Sequence, residues 1–155
     1  MSDQKKIYLG VYGLNLKNKK ILMIKKNRGP YKGKFDLPGG AIEFGESFDV
    51  ALKREIREET GAELVSMDFL SNENYFCKYK KEGELREFHH VGIYYKVKLD
   101  AEDVVAGPDG EDSDGSLYMP INKIKPENTA PIAYMAIEKL LKYANNNKIK
   151  IIANH

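Results

Sequence analysis

The chain has 155 residues, enough to bury one two- or three-layer core, and its 42% hydrophobic and 31% charged content excludes a disordered chain. Its 25 basic and 23 acidic residues leave a net charge of only +2, so no global basic field marks a nucleic-acid binder. Cys77 is the only cysteine, which excludes an intrachain disulfide and fits a reducing, cytoplasmic setting.

The start, MSDQKK, is polar, and the first apolar run, Ile7 to Leu14, is short and interrupted by Gly10 and Gly13. Neither a signal peptide nor a membrane span is expected from it. Ile7–Leu14 and Lys20–Lys25 predict two strands separated by a turn at Asn15–Lys19. A glycine- and lysine-rich loop, Asn27–Lys34, follows, and then Phe35–Gly40 leads into a short extended piece at Ala41–Glu43.

Next comes a helix. Ser47 is placed to cap it and Asp49 lies in its first turn, where the helix dipole favours negative charge. Phe48, Ala51, Leu52 and Ile56 recur at helical spacing as an apolar stripe, and Gly61 is positioned to end the helix in the left-handed conformation. Glu63–Lys80 and Arg86–Leu99 read as two long strands joined by a turn at Lys81–Glu84. Asp100–Gly115 is an acidic loop. Its calcium reading as an EF-hand fails, because the glycine that fits position six puts Gly110 at position one and Ile121 at position twelve. Ser116–Pro120 predicts a last strand. A second helix from about Ala130 to Ala144 follows, capped by Asn128 or Thr129, with Pro131 in its first turn and Ile132, Met135, Ala136, Leu140 and Tyr143 on one face. The tail Asn145–Ile152 reads as an edge strand or a loose end. This order predicts an α+β arrangement, a mixed sheet with helices packed on it, in a single domain over residues 1–155.

The chemistry concentrates between Gly40 and Ala62, GAIEFGESFDVALKREIREETGA. Positions three and four apart on a helix share a face, so Glu55, Glu58 and Glu59 project together, beside or opposite the apolar stripe. Three clustered carboxylates repel one another unless cations neutralise them, and hard oxygen donors suit Mg²⁺ or Mn²⁺. Arg54 reaches Glu58 at four-residue spacing. A solvated helix laced with ion pairs would explain a lone EREIREE run. It does not explain seven fixed positions from Gly40 through Gly61, which coincide by chance on the order of once in 10⁸ starting points.

Those residues resemble the Nudix box, the signature of Nudix hydrolases. Every fixed polar and glycine position matches, Ile56 fills the central apolar slot, and Ala62 is smaller than the aliphatic residue usual at the last position. Leu37-Pro38-Gly39-Gly40 matches the usual lead-in. The resemblance implies a Nudix fold, a mixed β-sheet sandwiched between α-helices, and Mg²⁺-dependent cleavage of the pyrophosphate bond of a nucleoside diphosphate derivative. It implies Glu55, Glu58 and Glu59 as metal ligands, with the Gly39 carbonyl as a further one, and Arg54 and Glu46 as catalytic-site residues that brace loop and helix. The general base stays open between Glu55 and the acidic loop residues Glu111, Asp112 and Asp114. The implied partner is a small-molecule nucleotide, not nucleic acid or membrane, and a homodimer stays open.

Outside the box, Arg28 is the candidate for contact with substrate phosphate, ahead of Lys32 and Lys34. Tyr75, Phe76 and Tyr79 could stack a base, though alternation sends some of them to the core. His89 and His90 point to opposite faces of their strand, which argues against joint metal ligation. Cys77 is expected as a half-buried strand residue. Phe76 and Cys77 stand where the family's ADP-ribose enzymes carry a proline, and Tyr79 lies near a tyrosine of its dinucleoside polyphosphate enzymes. The other reading is a nucleotide-binding sensor or partner module on the same fold without catalysis; its mark would be degenerate box positions, and there are none.

Overall fold

The computed structural model describes residues 4–100 and 113–153, with side chains described for 4–100 and 115–146. In chain order the elements are β1 (Lys5–Leu14), β2 (Leu16–Lys17), β3 (Lys20–Lys26), β4 (Phe35–Asp36), β5 (Gly39–Ala41) and α1 (Phe48–Thr60). Then come β6 (Leu64–Lys81), β7 (Glu84–Leu99), β8 (Ser113–Pro120), a 3₁₀ turn at Ile121–Lys123 and α2 (Pro131–Ala153).

The strands form two sheets. The first has the order β5-β1-β7-β6 and is mixed: β1 runs parallel to β7 from Lys5↔Glu87 to Leu14↔Lys96, while its other pairings are antiparallel. The second is antiparallel and centred on β3, which pairs with β2, β4 and β8. The α+β class holds, with a second sheet added to the expected mixed one.

Side-chain alternation divides the packing into two cores. On one face of the first sheet, Val11 of β1 and Val97 of β7 pack against Ala51, Leu52 and Ile56 of α1. On the other, Tyr12, Leu14 and Tyr94 join Ile21 and Met23 of β3 and the Ile132, Ala136 and Leu140 stripe of α2. Leu52, Ile56 and Ile132 are all fully buried, and each such side chain is worth about 1.5–3 kcal/mol of apolar burial. Gly13, on the α1 face of β1, gives the helix its close approach, because a Cβ there would meet Ile56 Cδ1 at 3.1 Å.

Several expectations need correction. Phe48 is 42% exposed and stands outside the core, since it is the first helical residue and precedes the turn that seats on the sheet. Met135 and Tyr143 also face outward, and Ala133 and Ile137 take their place on the buried face of α2. The tail is helical, α2 continuing to Ala153. Ser113–Gly115 belong to β8, which begins three residues before Ser116. The Asn15–Lys19 turn contains β2, so β3 forms a hairpin with β2 and not with β1. Residues 101–112, which hold most of the acidic loop, lie outside the described residues.

Candidate active site

Helix α1 is held at both ends. Ser47 occupies the N-cap with extended backbone, yet its hydroxyl makes no capping bond and donates instead to the Asp49 carboxylate. Gly61 closes the helix at φ 72°, its N–H donating to the Arg57 carbonyl. Beyond it, Arg57 grips Glu63 through two bonds of 2.6 and 2.7 Å, tying the last turn to the start of β6.

The loop from β5 to α1 is organised by Arg54. Its Nε and Nη2 donate to the two oxygens of Glu46, each at 2.8 Å, a fork-on-fork pair of the strong charge-assisted kind. Nη2 also donates to the Ala41 carbonyl at 3.1 Å and Nη1 to Glu55 Oε1 at 3.0 Å. Glu46 Oε1 in turn accepts the Glu43 N–H at 2.8 Å. The Arg54 bond, followed by that backbone donor, holds the Glu46 carboxyl down to about 2. The expected Arg54–Glu58 pair exists at 3.6 Å, but it is the longer contact, with Glu46 and Glu55 closer. Arg54 and Glu46 therefore form one brace joining β5, the loop and α1.

Two consecutive glycines let the helix carboxylates reach the sheet. Glu59, 3% exposed, turns inward and its Oε1 accepts the Gly39 N–H at 2.9 Å, one of the partners a buried carboxylate needs. Glu55 lies on Gly40, where a Cβ would stand only 2.7 Å from Oε1. Gly39 is bound to its place for another reason: at φ 144° a Cβ would come within 2.1 Å of the Val11 carbonyl oxygen. Glu58, with 56% side-chain exposure, faces out beside them. The three box glutamates thus differ: one sealed against β5, one seated on it, one open.

Among the described residues, no three His, Cys, Asp or Glu side chains come together in a group placed to hold a metal ion. Arg54 draws Glu55 and Glu58 toward itself, and Glu59 is engaged with Gly39. The donor chemistry nonetheless fits a hard divalent cation. All-oxygen carboxylates lie beside a glycine cradle that a methyl group would fill, and Mg²⁺ takes one or two carboxylates and completes its shell with water and phosphate.

On the opposite face of β1 lies a cleft of about 510 Å³. Its floor carries an arrangement that sequence reading missed. The Tyr12 hydroxyl stands 2.7 Å from His90 Nε2 and the Tyr31 hydroxyl 3.0 Å from Nδ1, with the Tyr31 and His90 rings stacked at 5.6 Å. Burial, helped by the charge of Lys26, lowers His90 to about 4, so its imidazole is neutral near pH 7. A neutral ring has one N–H and one bare nitrogen, so one tyrosine donates to it and the other accepts from it. Burial raises both phenols, keeping them protonated. Only the alternation of His89 and His90 was readable in advance; the convergence of Tyr12, Tyr31 and His90 depends on the parallel β1–β7 pairing.

Arg28 and Lys32 line this cleft, and Lys34 does not. Tyr79 also lines it, whereas Phe76 is exposed on the opposite sheet face near His89 and Tyr75 packs against the core. Cys77 is half-buried, its thiol raised by burial. Glu111 and Asp112 fall outside the described residues, as does the side chain of Asp114.

The fold and the box define a class. The NUDIX domain model matches residues 6–140, and the chain belongs to the Nudix family. Over 53 residues it is 51% identical to an ADP-ribose pyrophosphatase of Methanocaldococcus jannaschii, a match covering 34% of this chain and 31% of that protein. Over 42 residues it is 50% identical to the nucleoside triphosphatase NudI of Salmonella arizonae, covering 27% and 30%. The match spans about a third of the length of these curated relatives. Among solved structures, the MutT protein of Methanosarcina mazei Go1 superposes with a TM-score of 0.68 at 22% identity, over 95% of this chain and 99% of that one. That likeness carries the fold.

Proposed function

We propose that the protein is a Mg²⁺-dependent hydrolase that cleaves the pyrophosphate bond of a nucleoside diphosphate derivative. The observation that carries this reading is the seating of Glu55 and Glu59 on consecutive glycines of β5, braced by the Arg54–Glu46 pair. A salt-bridged surface helix has no use for two carboxylates turned onto a sheet edge. Family membership and the curated relatives support the same class of reaction.

Glu55, Glu58 and Glu59, with the Gly39 carbonyl, would hold the cation. When bound, it neutralises pyrophosphate charge and lowers the pKa of a coordinated water. The residues do the rest. Glu59 is fixed by the Gly39 N–H and Glu55 by Arg54, so both carboxylates are oriented before substrate arrives. In the reaction a water oxygen bonds to phosphorus as the bridging P–O bond breaks, and the water's proton passes to a carboxylate. Glu55 is one candidate for that acceptor, and Glu111, Asp112 or Asp114 is the alternative. A sensor that binds nucleotide without turnover has no observation in its favour, because each box position is intact.

The test is release of nucleoside monophosphate from a panel of nucleotide derivatives with Mg²⁺, comparing wild type with Glu58→Gln and Glu59→Gln. Wild-type turnover that falls by about a hundredfold or more in each variant is expected. No turnover on any substrate, or undiminished turnover in both variants, would overturn the reading.

A further inference from the structure

Helix α1 covers only part of its face of the first sheet. It packs on Val11 and Val97, whereas Ile7 and Leu9 of β1 and Phe76 of β6, which alternation puts on the same face, are each about half exposed. Ile7, His89 and Phe76 stand side by side across three strands, with Ile7↔His89 and His89↔Phe76 in register and the Phe76 and His89 rings 6.3 Å apart. They wall a shallow pocket of about 220 Å³, completed by Lys5, Lys6 and Glu87. That is smaller than the roughly 300–1,000 Å³ of a small-molecule site, and it suits a single side chain.

The same chain carries a side chain of the right kind. Phe44 is fully exposed. The Ile42 N–H donates to the Leu9 carbonyl at 3.3 Å, and Phe44 follows two residues later, at the Ile7–Leu9 end of β1. Its turn is closed on itself: the Glu46 N–H donates to the Glu43 carbonyl at 3.0 Å, the Glu43 N–H donates to Glu46 Oε1 at 2.8 Å, and Gly45 takes φ 87°. Arg54 clamps Glu46 from behind, so the ring is presented by an ordered loop with little conformational freedom left to lose on docking. The charges match as well. Glu43 is mostly exposed on the turn, while beside the pocket Lys5 and Lys78 share the one carboxylate of Glu87 at 3.4 and 3.6 Å, leaving that rim net positive.

We propose that this face docks a second copy of the chain, in a two-fold dimer in which Phe44 of each protomer fills the Ile7–His89–Phe76 pocket of the other. Ring and pocket lie at one end of one face, so a two-fold axis between them satisfies both contacts with a single surface. The area suffices. An aromatic side chain offers about 150–250 Å², so Phe44 with the exposed parts of Phe76, Ile7 and Leu9 presents on the order of 500 Å² of apolar surface. A stable dimer takes roughly 800 Å² from each partner, somewhat more than half of it apolar. The acidic turn against the basic rim supplies polar contacts around that apolar centre. This contact is independent of the chemistry at the box carboxylates.

Sedimentation velocity on the full chain, from about 1 to 500 µM, tests this. The expected result is a reversible shift from the 17.6 kDa chain to twice that mass. The Kd should be about 50 µM or tighter. Phe44→Ser removes the ring, and Phe76→Asp removes a pocket wall and sets a carboxylate against the acidic turn. Each should weaken dimerisation about tenfold or more. Mixing the two variants should recover dimers, because the intact ring of the Phe76→Asp copy still fits the intact pocket of the Phe44→Ser copy. Both positions are exposed, so the variants fold, with circular dichroism as the check. A wild type that stays monomeric throughout would overturn the proposal and leave the face to a different protein. A dimer undiminished in both variants would overturn it by placing the interface elsewhere, and a mixture no more dimeric than its parts would overturn the reciprocal contact.

Discussion

Gly39 and Gly40 are neighbours with different reasons to lack a side chain. At Gly39 the obstruction is backbone: φ is 144° and the Val11 carbonyl oxygen would be 2.1 Å from a Cβ. At Gly40 it is the tip of a flexible side chain, Glu55 Oε1 at 2.7 Å. Gly39→Ala is therefore expected to destabilise the protein by on the order of 3 kcal/mol, read as a drop in denaturant midpoint. Gly40→Ala should leave that midpoint almost unmoved while lowering kcat about tenfold or more, because Glu55 is pushed from its seat. Wild-type kcat in Gly40→Ala would show that the seat of Glu55 does not matter. These roles were only half legible in the sequence. The motif marked both glycines, but which carboxylate meets which glycine depends on β5 lying under α1. Glu59 in particular read as one of three carboxylates projecting together, and it parts from Glu58 by turning inward, where the Gly39 N–H offers it a buried partner.

At the scale of elements, two hairpins turn on pairs of residues with positive φ. Asn18 and Lys19 have φ 52° and 60°, and Glu82 and Gly83 have 54° and 80°. Such two-residue turns match the right-handed twist of their strands and prefer Asn followed by Gly. The first has Asn in place but Lys where Gly is preferred, and a Cβ in the left-handed region costs about 1 kcal/mol or more. Lys19→Gly is expected to raise Tm by roughly 2–4 °C in a thermal melt; an unchanged or lowered Tm would count against strain at this turn. Both turns were readable from their polar composition, the second also from Gly83. The two-residue β2 was not, since so short a strand has no periodicity to detect. The α2 tail misled for a different reason: Asn145-Asn146-Asn147 has poor helix propensity, yet extending an existing helix costs only a few tenths of a kcal/mol per residue.

For the molecule as a whole, acid stability should follow the buried histidine. His90 titrates at about 4 in the fold against an ordinary 6.5. Between those values the unfolded chain takes up a proton that the fold refuses. Its contribution is fully present above pH 6.5, declines as pH falls toward 4 and levels off below that. The span is worth up to about 3 kcal/mol. Urea midpoints measured from pH 7 to pH 4 should fall, and His90→Gln, which keeps one donor and one acceptor between the tyrosines, should flatten that slope. A slope as steep in the variant would assign the acid sensitivity elsewhere. The class of fold was legible from the box and the strand order, because local patterning carries both. The division into two sheets and the cleft between Tyr12, Tyr31 and His90 were not, because they arise from pairing residues as far apart as Tyr12 and His90 in the chain.

Strand β1 serves two masters through its pleat. Val11 and Gly13 face α1, which carries the box glutamates, while Tyr8 and Tyr12 face the cleft. Neighbouring codons thus write to opposite sides of the sheet. Drift at the even positions can reshape the cleft while the odd positions preserve the seat of the carboxylate helix. A lineage carrying this strand could remodel one side of the sheet by single substitutions without disturbing the helix packed on the other.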